Sequence, residues 1–231
     1  MGSIIDLHIH TIVGSLDSGI SVKRLVEGTK AAGLTGVVLA EHQTQWRPEE
    51  VERLREESGL FVFAAREWDV DMGHIITLGL DRGVQRITKA RELRQVCQDN
   101  GAYMVMCHPF RYFPGPSNFL FGNRREAEGL PVEELAEHPF FSLVDAVEVL
   151  NAGCTDRENR VAQEVARCLG LPGTAGSDAH WPMEVGRRYA TVFEKELVSE
   201  EEMLEELQAG RFYPAQRVDG VFVLLEEAVK P

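Results

Sequence analysis

The 231-residue chain lacks any hydrophobic run near the roughly 20 residues that cross a bilayer, and its N-terminus lacks the basic and apolar parts of a secretory signal. Its four cysteines, Cys97, Cys107, Cys154 and Cys168, show no C-x-x-C spacing. The absence of this spacing disfavours a zinc knuckle, and we expect reduced, mostly buried thiols. We therefore expect a cytoplasmic protein that makes no use of a membrane.

Basic residues are also scarce: the chain has 24 Lys and Arg but 37 Asp and Glu, which gives a net charge of −13. They form few patches, so we expect no extended nucleic-acid surface. The chain has no G-x-x-x-x-G-K or G-x-G-x-x-G phosphate loop and no G-x-S-x-G elbow. A small phosphorylated substrate is still compatible with this charge, because bound metal ions add positive charge that residue counts omit.

Apolar runs alternate with helical patterns along the whole chain. Gly36–Ala40 and Ala102–Cys107 are almost wholly apolar, as in strands that are buried on both faces. Val22–Ala32 and Arg157–Leu169 have helical periodicity, and each is followed by glycine. The alternation predicts an α/β fold with a parallel sheet and outer helices, and we expect a single domain over residues 1–231.

The histidines and carboxylates cluster at the predicted strand ends. His8 and His10 are alternate residues of a strand, so both imidazoles can face one ion. Asp178 and His180 repeat this spacing near the other end of the chain. Strand C-termini form the active-site face of α/β barrels, and mixed His/carboxylate sets suit divalent ions. Further candidate ligands follow or accompany other strands: His42, Glu67, His74 and His108.

Seven short motifs occur in a fixed order along the chain: DLHIHT at 6–11, EH at 41–42, RE at 66–67, HIITLG at 74–79, CHPFR at 107–111, DAVEVLN at 145–151 and GSDAH at 176–180. Together they resemble the PHP (polymerase and histidinol phosphatase) family over nearly all of the chain. The resemblance implies a distorted (β/α)7 TIM-like barrel and a metal-dependent phosphoesterase site, typically trinuclear.

The resemblance also implies nine metal ligands, grouped by ion: His8, His10, Glu67 and Asp178 for the first; Glu67, His74 and His108 for the second; Asp17, His42 and His180 for the third. Asp17 departs from the family pattern, because it lies seven positions after His10 instead of about five, so Ser15 or a water is an alternative ligand. We expect two or three ions, of manganese, iron or zinc.

The residues expected to be catalytic are His8, His10, Glu67, Asp178 and His180. Six neutral imidazoles, three carboxylates and three divalent ions leave a charge of about +3, which attracts phosphate. The expected function is hydrolysis of a small phosphorylated metabolite or nucleotide, through attack by a metal-bridging hydroxide, with His180 or His42 as a possible proton donor. The alternatives are a histidinol-phosphate or protein-tyrosine phosphatase of the same family, a non-catalytic metal-binding regulatory module, and a hydrolase of another bond.

Two arginines lie just beyond ligand motifs, and we expect Arg111 and Arg187 to contact the substrate phosphate, ahead of Arg124, Arg125 and Arg188. The segment 110–130 is long for a loop and is expected to be a lid. Its aromatic residues either stack on a substrate ring or pack the loop onto the barrel. Glu148 either orients a ligand or has a structural hydrogen-bonding role. Cys107 is expected in the core and His138 in solvent, and the sequence does not predict the oligomeric state.

Overall fold

The computed structural model describes residues 2–84, 86–122 and 127–225. Its strands are β1 (Ile4–Ile9), β2 (Gly36–Glu41), β3 (Phe61–Val70), β4 (Gly73–Leu78), β5 (Tyr103–Met106), β6 (Ala146–Asn151), β7 (Gly173–Gly176), β8 (Tyr189–Phe193), β9 (Phe212–Val218) and β10 (Val221–Leu224). Its α-helices are α1 (Val22–Ala32), α2 (Pro48–Ser58), α3 (Ala90–Asn100), α4 (Val132–Ala136), α5 (Asp156–Leu169) and α6 (Glu200–Gln208). Short 3-10 turns occur at Ala127–Gly129 and Pro139–Leu143.

The ten strands form one sheet in the order β10-β9-β8-β1-β2-β3-β4-β5-β6-β7. Strands β1 to β3 are parallel, and so are β5 to β7, whereas β4 is antiparallel to both of its neighbours. Strands β8 to β10 add an antiparallel extension beside β1. The α/β class is thus confirmed, but the sheet is mixed rather than wholly parallel. The reason is local: β3 turns into β4 through Asp71 and Met72 without a helix, and such a short connection permits only antiparallel pairing.

The sheet curls so that β7, at one end of the strand order, lies beside β1 in its middle. The backbone N–H of Asp178 donates to His8 O at 2.7 Å, and His10 N–H donates to Ala179 O at 3.0 Å. The buried Asp6 carboxylate accepts a hydrogen bond from Ser177 N–H at 2.8 Å. Burial raises the pKa of Asp6 to about 6, although these hydrogen bonds act in the opposite direction. The ends of β1 and β7 therefore meet at one mouth.

Local sequence signals account for the helices around this sheet. Helix α1 begins at Ser21, whose side chain accepts a hydrogen bond from Arg24 N–H, and it ends at Gly33 with a φ of 77°. Helix α5 begins with a reciprocal capping box between Thr155 and Glu158. Among the described residues, no helix combines the length and the apolar character needed to cross a bilayer.

Three features of the sheet differ from the sequence predictions. Strand β3 continues past the apolar run, so Glu67 lies inside it rather than after it, because Arg66 to Val70 pair with β4. Strands β8 and β9 were not predicted. Strand β9 contains Pro214 and mixed polar residues, and its assignment depends on pairing with β8, which a local pattern does not reveal.

Candidate metal centre

Four buried side chains converge where β1, β3 and β7 meet. Glu67 Oε2 lies 3.2 Å from Nε2 of both His8 and His10, and Asp178 Oδ1 lies 3.4 and 3.3 Å from the same two nitrogens. A tetrahedral ion with bonds of about 2.0–2.1 Å separates its ligands by about 3.3–3.4 Å. In addition, the buried Nε2 of His10 has no hydrogen-bond partner among the described residues. The residues present therefore fit a shared divalent ion.

The second oxygen of Glu67 faces another pair of histidines. Glu67 Oε1 lies 2.9 Å from His74 Nδ1 and 3.3 Å from His108 Nε2. One carboxylate therefore touches two donor groups, with one oxygen toward each. This is the arrangement that allows a carboxylate to bridge two neighbouring ions.

A third group lies at the more open side of the mouth. The donor nitrogens of His10, His42 and His180 lie within 4.8 Å of one another. Asp17 Oδ2 lies 3.6 Å from His42 Nε2 and 3.3 Å from His180 Nε2, and the Asp17 side chain is 57% exposed. Despite its unusual spacing, Asp17 lies beside the two histidines with which the resemblance groups it, and its role as a ligand stays a prediction.

Ser15, the alternative to Asp17, has other contacts. Its hydroxyl donates to Glu41 Oε2 at 2.6 Å and accepts from His42 N–H at 3.0 Å. The buried Glu41 also accepts hydrogen bonds from Thr11 N–H at 3.0 Å and from Trp46 Nε1–H at 2.8 Å. Glu41 thus ties the segment after β1 to β2 and supports the histidines indirectly.

A supporting network lies behind the ligands. Glu148 Oε1 accepts from His8 Nδ1 at 3.0 Å, and Glu148 Oε2 accepts from His108 N–H and from Asn151 Nδ2 at 2.9 Å each. Of the two roles open for Glu148, these contacts support the orienting one. Sequence reasoning missed Asn151 as a member of this network, although it lies within the DAVEVLN motif.

The arginines expected to bind substrate lie in different places. Arg111 Nη2 donates to the Asp178 carboxylate and, at 2.8 Å, to Asn151 Oδ1. Arg111 is thus engaged with a metal-ligand candidate, and Arg187 is exposed in the turn before β8. Arg188 pairs with Asp156 at 2.6 Å. The remaining candidates, Arg124 and Arg125, lie outside the described residues.

Protonation at the centre is set by a competition between burial and charge. Burial opposes protonation of His8, but the carboxylates of Asp178, Glu148 and Glu67 raise its pKa well above the ordinary value. His10 is likewise buried, yet Asp178 and Glu67 raise its pKa to about 9. Burial favours the neutral form of Glu67, but the adjacent histidines lower its pKa well below the ordinary value. The buried carboxylates therefore favour the protonated forms of His8 and His10.

The loop after β5 packs mainly through its own aromatic residues. Phe110, Phe113 and Phe121 are buried, and Phe110 stacks on Phe121 with a centroid distance of 5.8 Å. Phe119 is 63% exposed, and its ring centroid lies 5.2 Å from that of His74. The predicted lid role stays a prediction, and residues 123–126 of this segment lie outside the described chain.

Two sequence expectations outside the centre have clear outcomes. Cys107 is buried in the core, as predicted. His138 is partly buried rather than solvated, because its ring packs 5.3 Å from that of Phe121 and Nδ1 accepts from Phe140 N–H at 3.3 Å. It caps the second 3-10 turn.

A cavity of about 480 Å³ adjoins the donor groups on the His42 side. Its walls include Arg66, Trp68 and Arg86, none of which was predicted as a site residue. The Arg66 guanidinium lies 4.0 Å from the centroid of the Trp68 ring. Burial and the positive charge of Arg86 lower the pKa of Arg66. The sequence does not predict that Arg66 and Arg86 line one cavity, because Arg86 lies in a loop and follows no periodic pattern.

Comparisons with known proteins agree with this geometry. A family model described as PHP-associated matches residues 156–212. No curated protein sequence matches the chain. A candidate metal-dependent phosphoesterase from Bifidobacterium adolescentis shares 16% identity at a TM-score of 0.58, covering 76% of this chain and 87% of that chain.

Two further solved structures have the same fold. A two-domain protein from Bacteroides vulgatus, containing a predicted PHP-like metal-dependent phosphoesterase, shares 19% identity at a TM-score of 0.66, and the match covers 93% of this chain but 64% of that one. The lesion-specific endonuclease Q of Pyrococcus furiosus shares 16% identity at a TM-score of 0.57, over 90% of this chain and 56% of that one. The resemblance to the PHP family is therefore confirmed, since the chain has the fold of PHP-like proteins and carries a PHP-associated segment.

Proposed function

We propose that the protein is a metal-dependent phosphoesterase whose donor groups hold two or three divalent ions. The observation that carries the proposal is the sharing of Glu67, whose two oxygens face His8 and His10 on one side and His74 and His108 on the other. Ions held by these two groups of donors would lie close together, as two-metal phosphoryl chemistry requires. The names of the PHP-like structural neighbours support the same reaction class.

The chemistry that bound ions supply is stabilisation of charge on the phosphoryl oxygens and a lowered pKa for water. The residues of the chain fix where this happens. Glu148 accepts a hydrogen bond from His8 Nδ1, and Arg111 donates one to the Asp178 carboxylate. The side chains of both candidate ligands are therefore oriented by the protein itself. His180 is 24% exposed and lies at the open side of the mouth, where its Nε2 is 3.3 Å from Asp17 Oδ2.

The donor chemistry limits the choice of metal. Imidazole nitrogens and carboxylate oxygens suit manganese, iron and zinc, whereas magnesium and calcium prefer sites made of oxygen alone. We propose manganese, iron or zinc as the resident ions. The favoured substrate is a small phosphorylated metabolite or nucleotide, because the chain has a net charge of −13.

A second candidate is hydrolysis of a nucleic-acid phosphodiester. The comparison with endonuclease Q does not support the expected absence of a nucleic-acid surface. Tyr112 and Trp181 are 60% and 55% exposed, and each lies within four residues of a donor histidine. Exposed aromatic rings of this kind can stack on unpaired bases. Cleavage of a single-stranded oligonucleotide faster than of small esters would favour this candidate.

The test combines metal analysis with hydrolysis of p-nitrophenyl phosphate and bis(p-nitrophenyl) phosphate, with and without added Mn²⁺. We expect turnover of at least one ester, and a loss of at least about 100-fold in His10→Ala and Asp178→Ala. The matched control is His138→Gln, because His138 lies outside the donor groups. Bound metal with no turnover of either ester would instead indicate a non-catalytic metal-binding module. Histidinol phosphate and a phosphotyrosine peptide test the phosphatase alternatives.

A further inference from the structure

Strand β3 extends beyond its parallel neighbour β2. The last residues paired between them are Glu41 and Arg66, whereas β3 continues to Val70 and pairs there with β4 alone. No strand covers the β2-facing edge of residues 67–70 in the described chain. The cavity of about 480 Å³ opens at this edge. It joins two sets of side chains: His42, Glu67 and His74 from the metal centre, and Arg66, Trp68 and Arg86 beyond it.

The two arginines of this cavity have no acidic partner among the residues that the structure describes. Neither Arg66 nor Arg86 forms an ion pair with a carboxylate in the described part of the chain. The Arg66 guanidinium is held in place by the Trp68 ring and by a hydrogen bond from Nη1 to Val84 O at 3.5 Å. Its buried Nε has no hydrogen-bond partner within the described ranges. The held guanidinium of Arg66 and the exposed guanidinium of Arg86 thus line one concave space without a paired carboxylate, which suits the recognition of an anion.

We infer that this cavity binds a second anionic group of the substrate, a phosphate or a carboxylate, while the reacting phosphoester lies at the metal centre. The inference rests on the proposed phosphoesterase function and narrows its substrate to phosphoesters that carry a further negative charge. The volume suits a small ligand, since such sites span about 300–1,000 Å³. The three carboxylates in the lining, Asp17, Glu67 and Asp69, each lie beside a donor histidine, and none of them pairs with Arg66 or Arg86.

The test uses the Mn²⁺-loaded full chain and three series of esters with alkyl spacers of increasing length. These are alkyl phosphates, alkanediol bisphosphates and ω-carboxyalkyl phosphates. We expect kcat/KM for one of the doubly anionic series to exceed that of the matched alkyl phosphate by at least about tenfold. The series that is preferred identifies the second group as phosphate or carboxylate.

The double variant Arg66→Met/Arg86→Met should lose most of this preference, measured as the ratio of the two kcat/KM values. Arg82→Met is the matched control, because Arg82 is exposed in the same loop but lines a different cavity. A purely structural role of Arg66 would lower thermal stability without changing the ratio. No preference in any series, or an unchanged preference in the double variant, overturns the inference.

Binding provides a readout that does not depend on turnover. Calorimetry compares alkane bisphosphonates with the matched alkylphosphonates, neither of which is hydrolysed. Tighter binding of a bisphosphonate that disappears in the double variant supports the cavity site, even if no ester is turned over and the phosphoesterase proposal fails. Turnover of alkyl phosphates with no preference for a second anion overturns the cavity site alone.

Discussion

Glu148 accepts a hydrogen bond from Nδ1 of His8 at 3.0 Å, and this contact leaves Nε2 of the same ring facing Glu67. The carboxylate therefore fixes both the tautomer and the orientation of the imidazole.

Replacement of Glu148 by glutamine should weaken metal binding by about 10- to 100-fold, because the amide can present a donor to Nδ1 and no longer selects one tautomer. Titration of the metal-free variant with Mn²⁺, followed by calorimetry, measures the change. Glu133→Gln on the surface of α4 is the control. Equal affinities in Glu148→Gln and the unmodified chain would show that the contact is structural only.

Replacement of Glu67 by glutamine should reduce the metal content by more than one ion per chain, because its two oxygens face two donor groups. Metal analysis after dialysis gives the stoichiometry. Glu57→Gln, on the exposed side of α2, serves as the control. A loss limited to a single ion would contradict the bridging role.

Replacement of Asp17 by asparagine should remove a single ion, because Asp17 contacts His42 and His180 but not the buried four-donor group. Ser15→Ala should keep the metal stoichiometry, since the Ser15 hydroxyl donates to Glu41. Asp99→Asn on α3 controls for the loss of a surface charge. The opposite outcome, with Ser15→Ala losing the ion and Asp17→Asn keeping it, would assign the ligand to Ser15.

Replacement of Arg111 by methionine should lower metal affinity and stability rather than substrate affinity. Its guanidinium bonds the buried Asp178 and Asn151, and leaving such groups unpaired costs about 1–3 kcal/mol. Chemical unfolding measures the stability, and KM at saturating Mn²⁺ measures the substrate affinity. A raised KM with normal metal binding would restore the substrate-binding role expected from the sequence.

The stability of the metal-free protein should fall as pH rises from about 6.5 to 9. The pKa of His10 is raised in the folded chain to about 9, so its stabilising contribution is complete below the unfolded value of about 6.5 and is lost as pH passes 9. Bound ions should remove this dependence, because they replace the protons. Urea unfolding across this range, with and without Mn²⁺, checks the sign, and rising metal-free stability would contradict it.

The sequence was sufficient to identify the candidate donor residues, but it did not predict the contacts that the surrounding residues make with them. The alternation in His8-x-His10 and the motif order identified residues that the structure brings together, because β1, β2 and β5 end close to the ends of their apolar runs. The length of β3 was not predictable, since Arg66 to Val70 are held in a strand only by pairing with β4. The engagement of Arg111 with Asp178 and the Arg66–Arg86 cavity depend on distant segments, which leave no local pattern.

Two donors occupy backbone conformations that L-residues with side chains rarely adopt, since φ is 30° at His108 and 53° at Asp178. Glycine would relax the chain at either position, yet it would delete a donor. At Asp178 it would also leave Arg111 and Asn151 without the carboxylate that they contact, so the contacts that orient this donor also maintain its unusual backbone conformation.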